Sequence, residues 1–433
     1  MTKVTPKVLR GFKDYLPDTM LSKQRMLDQI ARVFESFGFG PLVTPAIEYA
    51  EILMGKYGDE GDKLLYRFRD NGDRDVALRY DLTVPLSRVV AMNPQLLKPF
   101  KRYQIAPVWR AEKPGRGRFR EFMQCDIDIV GAADMMADAE CLLVGASALQ
   151  SIGVTDFIIR INNRKLLTAL LKKYHINEGP DALGVLRTLD KLPKIGEEKT
   201  RTLLATENGL NSTAVDGIFA FLTLSPNQLA DFFEEDEVGK LGAEEIQTVL
   251  TLAEEMGIGD RVEVDLSIAR GLDYYTGTIY ETFLTNVDNF GAIMSGGRYD
   301  ELLDVYGRER IPSVGISLGI DRLFSALVET GKIDLQVAPT QVLVTIFNES
   351  LRPKSFQIAN TLREAGFATE IFPGTPKMKK QLQYANRRSV SFVIFIGVDE
   401  ARDGLIKIKN MDSGEEKLVA QSELITHLNS EMA

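Results

Sequence analysis

The segment Ser267-Ile268-Ala269-Arg270-Gly271-Leu272-Asp273-Tyr274-Tyr275-Thr276-Gly277 places one arginine, one aspartate and two adjacent tyrosines at the end of an alternating run. An arginine in such a place is an anion clamp, and each tyrosine is a flat wall with a hydrogen-bonding tip. A second constellation joins Arg110-Ala111-Glu112 to the basic, glycine-rich stretch Gly115-Arg116-Gly117-Arg118-Phe119-Arg120. Arg110 and Arg118 flank a loop that can hold a polyphosphate, Phe119 can stack on a flat base, and Glu112 can accept from an exocyclic amine. A third constellation is a set of acceptors. Asp81 and Thr83 lie two apart, and Gln124, Asp126 and Asp128 share one face of an extended segment. Finally, Gly319 permits close approach of a ligand, and Arg322 falls in the first turn of a helix with Ile320, Leu323, Phe324, Leu327 and Val328 on one face.

These side chains need a sheet to position them. Val262, Val264, Leu266 and Ile268 alternate, so a strand is expected to run to Ile268 and carry Arg270 and the tyrosines to a sheet end. Segments around 75–80, 102–109 and 122–130 are strand-like, the last two joined by the basic loop. Pro17-Asp18 starts a helix with Met26, Leu27, Ile30, Val33, Phe34 and Phe37 on one side, ending at Gly38. The chain from Phe39 to Ile47 is extended, with prolines at 41 and 45. From about Arg164 to Asp260 the periodicity is helical and acid-rich, the mark of an inserted module, and strand patterns return from 261 to 319. Beyond a break near Ile333–Thr340, strand (Gln341–Phe347), helix (Ser350–Ala365), strand (Phe367–Phe372), helix (Lys377–Arg388) and strand (Val390–Ile396) alternate. That rhythm predicts a small α/β domain with a partly parallel sheet.

The 433 residues exceed one core and predict two or three domains. With 44% hydrophobic and 26% charged residues and a mean hydropathy of −0.09, the composition is that of a soluble protein. No apolar run approaches the ~20 residues that span a bilayer. Met1-Thr2-Lys3-Val4-Thr5-Pro6 lacks the apolar core of a signal peptide, so no membrane association and a cytoplasmic location are expected. Cys125 and Cys141 lie outside any CxxC spacing, which indicates neither a disulfide scaffold nor a zinc site, and no protein ligand set for a metal is evident. The net charge of −9 argues against indiscriminate nucleic-acid binding. Two strips are locally basic: eight Lys/Arg against Glu112 alone between Lys98 and Arg120, and Lys377, Lys379, Lys380, Arg387 and Arg388 with no acid among them. Such strips suit selective phosphate contact. Gly315-Ile316-Ser317-Leu318-Gly319 matches the hydrolase nucleophile elbow, but a serine triad needs a histidine base. His175 and His427, the chain's two histidines, sit in no motif context, so a hydrolase is rejected.

The 267–277 segment resembles the histidine-specific signature of histidyl-tRNA synthetases. Phe100–Glu112 with Gly115–Phe122 resembles motif 2 of class II aminoacyl-tRNA synthetases, and Ser313–Leu323 resembles motif 3. Arg10–Pro17 resembles the family's N-terminal signature. The helix over 20–37 with the strand through Pro45 resembles motif 1, the class II dimer interface. The resemblance runs almost end to end and implies an α+β fold: an antiparallel-sheet catalytic domain over 1–330 with a helical insertion over about 164–260, and an α/β anticodon-binding domain over 338–433. It implies ATP-dependent activation of L-histidine and transfer to tRNA(His), with Mg²⁺ and a homodimer.

By the same resemblance Asp81, Thr83, Gln124, Asp128, Tyr274, Tyr275 and Tyr299 line the histidine pocket. A buried carboxylate opposite the ammonium and another opposite an imidazole N–H would fix that substrate. The wording Leu78–Thr83 and Gln124–Asp128 resembles the eukaryote-like branch more than the commonest bacterial form, where the positions of Asp81 and Asp128 are more often glutamate. Arg110 grips the α-phosphate, Glu112 and Phe119 the adenine, and Arg118 the outer phosphates. Arg322 lies against ATP, and Arg270 contacts the α-phosphate and the amino-acid carboxylate. The strip from Lys377 to Arg388 is a weaker candidate for tRNA contact. Two rival readings remain: a catalytically silent regulatory paralogue and a pure RNA-binding module. Both are disfavoured by the retention of Arg110, Arg118, Arg270 and Arg322 alongside residues 340–433.

Overall fold

The structure, a computed structural model, describes residues 4–432 apart from 58–60, 178, 270–273, 288–289, 307–309, 334–337 and 375–376. Arg270 therefore lies outside the described residues. The chain divides into two compact units, Met1–Asp14 with Met26–Lys332, and Tyr15–Arg25 with Ile333–Ala433. The start of the first helix, Pro17–Ser36, is thus grouped with the C-terminal unit, not with the residues that follow it in sequence.

Among the described residues the first unit is built on an eight-stranded sheet. Its strands are β1 (Gly40–Pro41), β5 (Phe100–Trp109), β6 (Glu121–Val130), β7 (Phe157–Asn163), β8 (Val262–Val264), β9 (Thr278–Leu284), β10 (Met294–Arg298) and β11 (Ser313–Gly319). Their order is β1-β5-β6-β11-β10-β9-β7-β8, antiparallel except where β1 meets β5 and β7 meets β8. A small three-stranded sheet, β2 (Ile47–Tyr49), β4 (Asp75–Leu78) and β3 (Arg67–Arg69), accompanies it.

The two longest strands explain where a site can form. In β5 every second residue is buried, and that inward set begins with Arg102 and Gln104 before turning apolar at Ala106 and Val108. Strand β6 is buried on both faces from Gln124 to Val130. One face is apolar (Cys125, Ile127, Ile129) and the other polar (Gln124, Asp126, Asp128). The helix Met136–Ser151 packs on the sheet against β6, β10 and β11. On the polar face, Asp128 stands opposite Arg102 of β5 and Gly315 of β11, and Asp126 opposite Gln104 and Ser317. The glycine matters: a Cβ at Gly315 would lie 2.1 Å from Asp128 Oδ1 and 2.7 Å from the Ile127 carbonyl oxygen. The space a side chain would take at 315 is the space the Asp128 carboxylate uses.

Between Asn163 and Val262 every described element is helical, including Arg164–Lys173, Pro180–Leu189, Glu197–Thr206, Ser212–Leu222 and Glu237–Glu255. Side-chain caps start three of them: Asn163 accepts from Lys165 N, Asn211 from Ala214 N, and Asp236 from Val238 N and Gly239 N. The expected strand through Ile268 stops at Val264. Asp265 accepts from the backbone N–H and hydroxyl of Ser267, and Ile268 N donates to the Asp265 carbonyl at 3.2 Å, so a side-chain-closed turn ends the ladder. Leu266 and Ile268 stay buried, their carbonyls taken by Asn162 Nδ2. The alternation was a burial pattern carried by irregular chain.

The C-terminal unit holds β12 (Val342–Val344), β13 (Thr369–Ile371), β14 (Phe392–Phe395), β15 (Leu405–Asn410) and β16 (Glu416–Ala420), in the order β13-β12-β14-β15-β16. The first three are parallel, and β15 and β16 complete an antiparallel half. Helices Arg352–Glu364, Met378–Arg387 and Leu424–Met432 accompany the sheet, over a core that includes Val342, Val344, Ile358, Leu362, Ile394, Ile406 and Leu428. The partly parallel sheet expected from the sequence is present.

Gly315→Ala should displace Asp128 and press on the backbone of β6. Denaturant unfolding is expected to show a loss of about 1–3 kcal/mol, the usual cost of overpacking. A variant as stable as the parent would remove the steric role given to Gly315.

Candidate active site

Two cavities in the first unit share a wall. The larger, about 310 Å³, is lined by Asp81, Thr83, Gln124, Asp126, Asp128, Tyr274, Tyr275 and Tyr299 among others. The smaller, about 150 Å³, is lined by Arg110, Glu112, Arg118, Phe119, Asp321 and Arg322 among others. Arg110, Arg118, Gln124, Ser295, Ser317 and Arg322 belong to both. Every residue expected at an amino-acid pocket thus lies in one cavity. Those expected at a nucleotide lie in the adjoining one, except Arg270, which falls outside the described residues.

The floor of the larger cavity is acidic. Asp128 forms an ion pair with Arg102 at 2.5 Å, both buried, and accepts a hydrogen bond from the Tyr299 hydroxyl. Arg102 also donates to the Leu82 carbonyl at 3.1 Å. Asp81 accepts from the Tyr57 hydroxyl at 3.0 Å and from Val84 N at 3.1 Å, at the start of the helix Thr83–Met92. Tyr274 and Tyr275 stand with ring centroids 4.6 Å apart, and Tyr274 meets Tyr299 edge-on at 6.2 Å. Three carboxylates therefore cluster around one buried guanidinium, and burial dominates their protonation. It pushes Asp126 up to about 7, against the pull of Arg102 and with a further push from Asp128. Asp128 is raised to about 6 for the same reason, partly offset by Arg102 and Tyr299, and Asp81 is raised by burial against its hydrogen bonds. Tyr57, Tyr274 and Tyr299 are pushed well above the usual phenol range, so they remain donors.

In the smaller cavity the Arg110 guanidinium lies 4.4 Å from the Tyr80 ring and 5.1 Å from the Phe122 ring, and its Nε donates to the Tyr80 carbonyl at 3.0 Å. Arg118 and Glu112 pair with each other across the loop. Arg322 donates to the Ala292 carbonyl, and its neighbour Asp321 accepts from Met123 N at 2.6 Å, tying the helix Ile320–Glu329 to β6.

The 98–120 strip is not one continuous phosphate track. Arg110 and Arg118 line the cavities. Lys101 pairs with Glu140, Arg102 with Asp128 and Arg116 with Glu329, while Arg120 donates to the Glu112 carbonyl. In the C-terminal unit Lys377, Lys379, Lys380 and Arg387 are exposed, and Arg388 pairs with Glu370 at 3.7 Å. The hydrolase look-alike is a strand segment: Ser317 sits inside β11 opposite Asp126, and neither histidine lines the two cavities. Cys125 is buried on the opposite face of β6 from the acids. Sequence reasoning grouped Asp126 with the acceptors Gln124 and Asp128 without naming it among the pocket residues, and assigned no role to Arg102, Tyr57 or Ser317. Asp126 was legible from its place between Gln124 and Asp128, whereas Arg102 and Ser317 become visible only through strand register.

The raised carboxylates couple pH to stability. Groups whose folded pKa exceeds the unfolded value contribute stability that is complete below about pH 4 and lost as pH rises through about 6–7. Asp126→Asn should therefore gain on the parent by roughly 2–4 kcal/mol between pH 4 and pH 8. Urea unfolding at both pH values measures this, and parallel pH profiles would refute the buried-acid account.

Residues 11–323 match the family model described as histidyl-tRNA synthetase, and residues 341–431 match that of the anticodon binding domain. The histidine–tRNA ligase of Rhodopirellula baltica is 40% identical over 427 residues, covering 97% of this chain and 96% of that one. The crystal structure of histidyl-tRNA synthetase from Nostoc sp. PCC 7120 superposes with a TM-score of 0.88 at 34% identity, covering 99% of this chain and all of the other. A Bacillus halodurans structure, titled as an ATP phosphoribosyltransferase regulatory subunit/histidyl-tRNA synthetase, shares the fold at 24% identity, with a TM-score of 0.76 over 88% of this chain and 97% of its own. An acidic, tyrosine-walled cavity joined to an arginine-lined one, in a chain matched along nearly its whole length, places this protein in the histidyl-tRNA synthetase family.

Proposed function

We propose that this protein activates L-histidine with ATP to give histidyl-adenylate and pyrophosphate, then transfers the histidyl group to the 3′-terminal adenosine of tRNA(His). The observation that carries the reading is the shared wall of the two cavities, where Arg110, Gln124 and Arg322 face both. An amino acid in the acidic cavity has its α-carboxylate at that junction, next to the α-phosphate of a nucleotide in the other.

The protein's part in the first step is positioning and charge neutralisation. The imidazole lies at the Asp128 end, between tyrosine walls, and the ammonium lies toward Asp81, Thr83 and Gln124. The α-carboxylate attacks the α-phosphorus in line, and the pyrophosphate leaves on the opposite side. Arg110 grips the α-phosphate, its own position fixed by Tyr80 and Phe122. Arg270 adds a second charge there, Arg118 and Arg322 serve the nucleotide, and Phe119 stacks on adenine beside Glu112. Mg²⁺ carried on the phosphates would neutralise their oxygens, with Glu281, which lines the larger cavity, the carboxylate on hand for such a hard cation. A pocket that pairs both ring nitrogens rejects apolar analogues by ~10⁴-fold, because its buried polar groups would be left without partners.

Three finer statements belong to the same proposal. The protein works as a homodimer, with the apolar residues Val43, Ile47, Phe68 and Leu97 exposed in the first unit as candidate interface. The exposed bases of the helix Met378–Arg387 contact tRNA. The protein is cytoplasmic, and among the described residues no helix is long and apolar enough to cross a membrane.

Amino-acid-dependent ATP–pyrophosphate exchange, without tRNA, tests the reading, with histidine expected to be the one proteinogenic amino acid to support it. Exchange with another amino acid would overturn the pocket assignment, and no exchange by folded protein would favour the regulatory paralogue. Arg110→Ala should lower exchange by about 10²-fold or more. Arg270→Ala should do the same while histidine binding stays within roughly tenfold. Near-normal exchange in either variant would remove that arginine from the mechanism.

A further inference from the structure

Tyr57 belongs to the lining of neither cavity, yet its side chain reaches toward a functional residue of each. Its hydroxyl donates to Asp81 Oδ1 at 3.0 Å, and Val84 N donates to the same oxygen at 3.1 Å. Among the described residues Asp81 Oδ2 accepts no hydrogen bond, so it is the oxygen left for an incoming donor. The Tyr57 ring stands 4.5 Å from the Tyr80 ring, centroid to centroid, tilted by 36°. Tyr80 in turn holds Arg110. The guanidinium lies 4.4 Å from the Tyr80 ring, and Arg110 Nε donates to the Tyr80 carbonyl at 3.0 Å. One phenol thus begins two short chains of contact, its hydroxyl to Asp81 and its ring through Tyr80 to Arg110. Tyr57 is itself fixed: it is buried and packs in a cluster with Leu53, Ala77 and Val84. A Cβ at Gly61 would lie 2.3 Å from Tyr57 Cβ, so a glycine at 61 is what lets the chain close on the tyrosine. Burial and the neighbouring Asp81 hold the phenol well above its ordinary pKa. The hydroxyl therefore keeps its proton and can donate to Asp81 in either protonation state, since a carboxyl always has an acceptor oxygen.

We infer that Tyr57 is a positioning residue for both substrates: its hydroxyl orients Asp81 for the amino-acid ammonium, and its ring backs Tyr80 so that Arg110 is held for the α-phosphate. It acts through Asp81 and Arg110 and touches neither substrate. The two halves of the side chain thereby serve different ligands, which makes them separable by substitution. The inference deepens the proposed function and rests on it, since it takes the ammonium to lie at Asp81 and the α-phosphate at Arg110.

Histidine-dependent ATP–pyrophosphate exchange by the parent protein is the control, and its absence would overturn the proposed function and the inference with it. Given that exchange, Tyr57→Phe removes the hydroxyl and keeps the ring. The histidine KM should rise about tenfold, with kcat and the ATP KM within about threefold, as expected for loss of one hydrogen bond to a carboxyl group. Histidinol keeps the ammonium and the imidazole, so it should weaken as an inhibitor to the same extent. Imidazolepropionate keeps the ring and carboxylate but lacks the ammonium, so its inhibition constant should not change. Tyr57→Leu removes the ring as well and should add a fall in kcat of about tenfold, because Arg110 is no longer held for the step it serves. Tyr80→Leu should show that fall in kcat with the histidine KM within about threefold. The double variant Tyr57→Leu/Tyr80→Leu should lose no more kcat than Tyr80→Leu, because both break one chain of contacts. An unchanged histidine KM in Tyr57→Phe, equal weakening of imidazolepropionate, or a normal kcat in Tyr80→Leu would each overturn the proposal. Thermal unfolding of each variant distinguishes lost positioning from a lost fold. Should Tyr57→Leu not fold, Tyr57→Phe and Tyr80→Leu still test the two halves.

Discussion

The buried ion pair between Arg102 and Asp128 is the constraint around which the catalytic unit is arranged. Taking two charges out of water is costly unless geometry and further hydrogen bonds compensate. Here the compensation comes from several elements at once. The Leu82 carbonyl accepts a hydrogen bond from Arg102, Tyr299 donates to Asp128, and Gly315 leaves the room in which the carboxylate sits, while Nε and Nη1 of Arg102 are buried without a hydrogen-bond partner among the described residues. Asp81 and Asp126 add two further buried acids, which Arg102 and, at Asp81, Arg110 offset only in part, so burial keeps both protonated more readily than an exposed aspartate. A cavity of that character has a deficit that a ligand bearing an ammonium and ring N–H groups can fill.

The same physics explains the distribution of arginines. Chains of like charge in sequence, such as the 98–120 strip, do not become like-charged surfaces by default. On the alternating strand β5, Arg102 goes inward to an acid and Lys101 goes the other way to Glu140. Around the loop Arg116 pairs with Glu329, Arg120 donates to the Glu112 carbonyl and Arg118 pairs with Glu112, and of these cations Arg118 joins Arg110 in lining the cavities. Arg110 is further fixed by two aromatic rings, so its charge is aimed before any phosphate arrives. Preorganisation of this kind is what distinguishes a catalytic cation from a merely attractive one.

Much of the site was legible before any fold was known. Gln124 with Asp128 was readable because a strand's period of two puts alternate residues on one face, whereas Asp81 and Thr83, expected on an extended segment, meet where the chain enters the helix Thr83–Met92. Arg110, Glu112, Arg118 and Phe119 were readable because a basic glycine-rich loop between two strands restricts what such residues can do. The alternation through Leu266 and Ile268 misled, since burial of alternate side chains does not require a ladder, and the Asp265–Ser267 turn ended the strand early. The roles of Arg102, Ser317 and Gly315 could not be read, because each depends on which residue of another strand lies opposite.

What the sequence determined by itself, then, was the inventory and its local geometry: which acids, arginines and tyrosines exist, which share a strand face, and which helices and strands carry them. Periodicity and side-chain chemistry are local properties, and the chain states them directly. The tertiary structure alone decided the pairings. The β5–β6–β11 register sets Arg102 under Asp128 and Ser317 beside Asp126, and it turns three separate acids into one desolvated cluster with altered proton affinity. Register and desolvation are properties of residues far apart in the chain, since a shift of one residue would put the opposite face of every side chain toward the cavity.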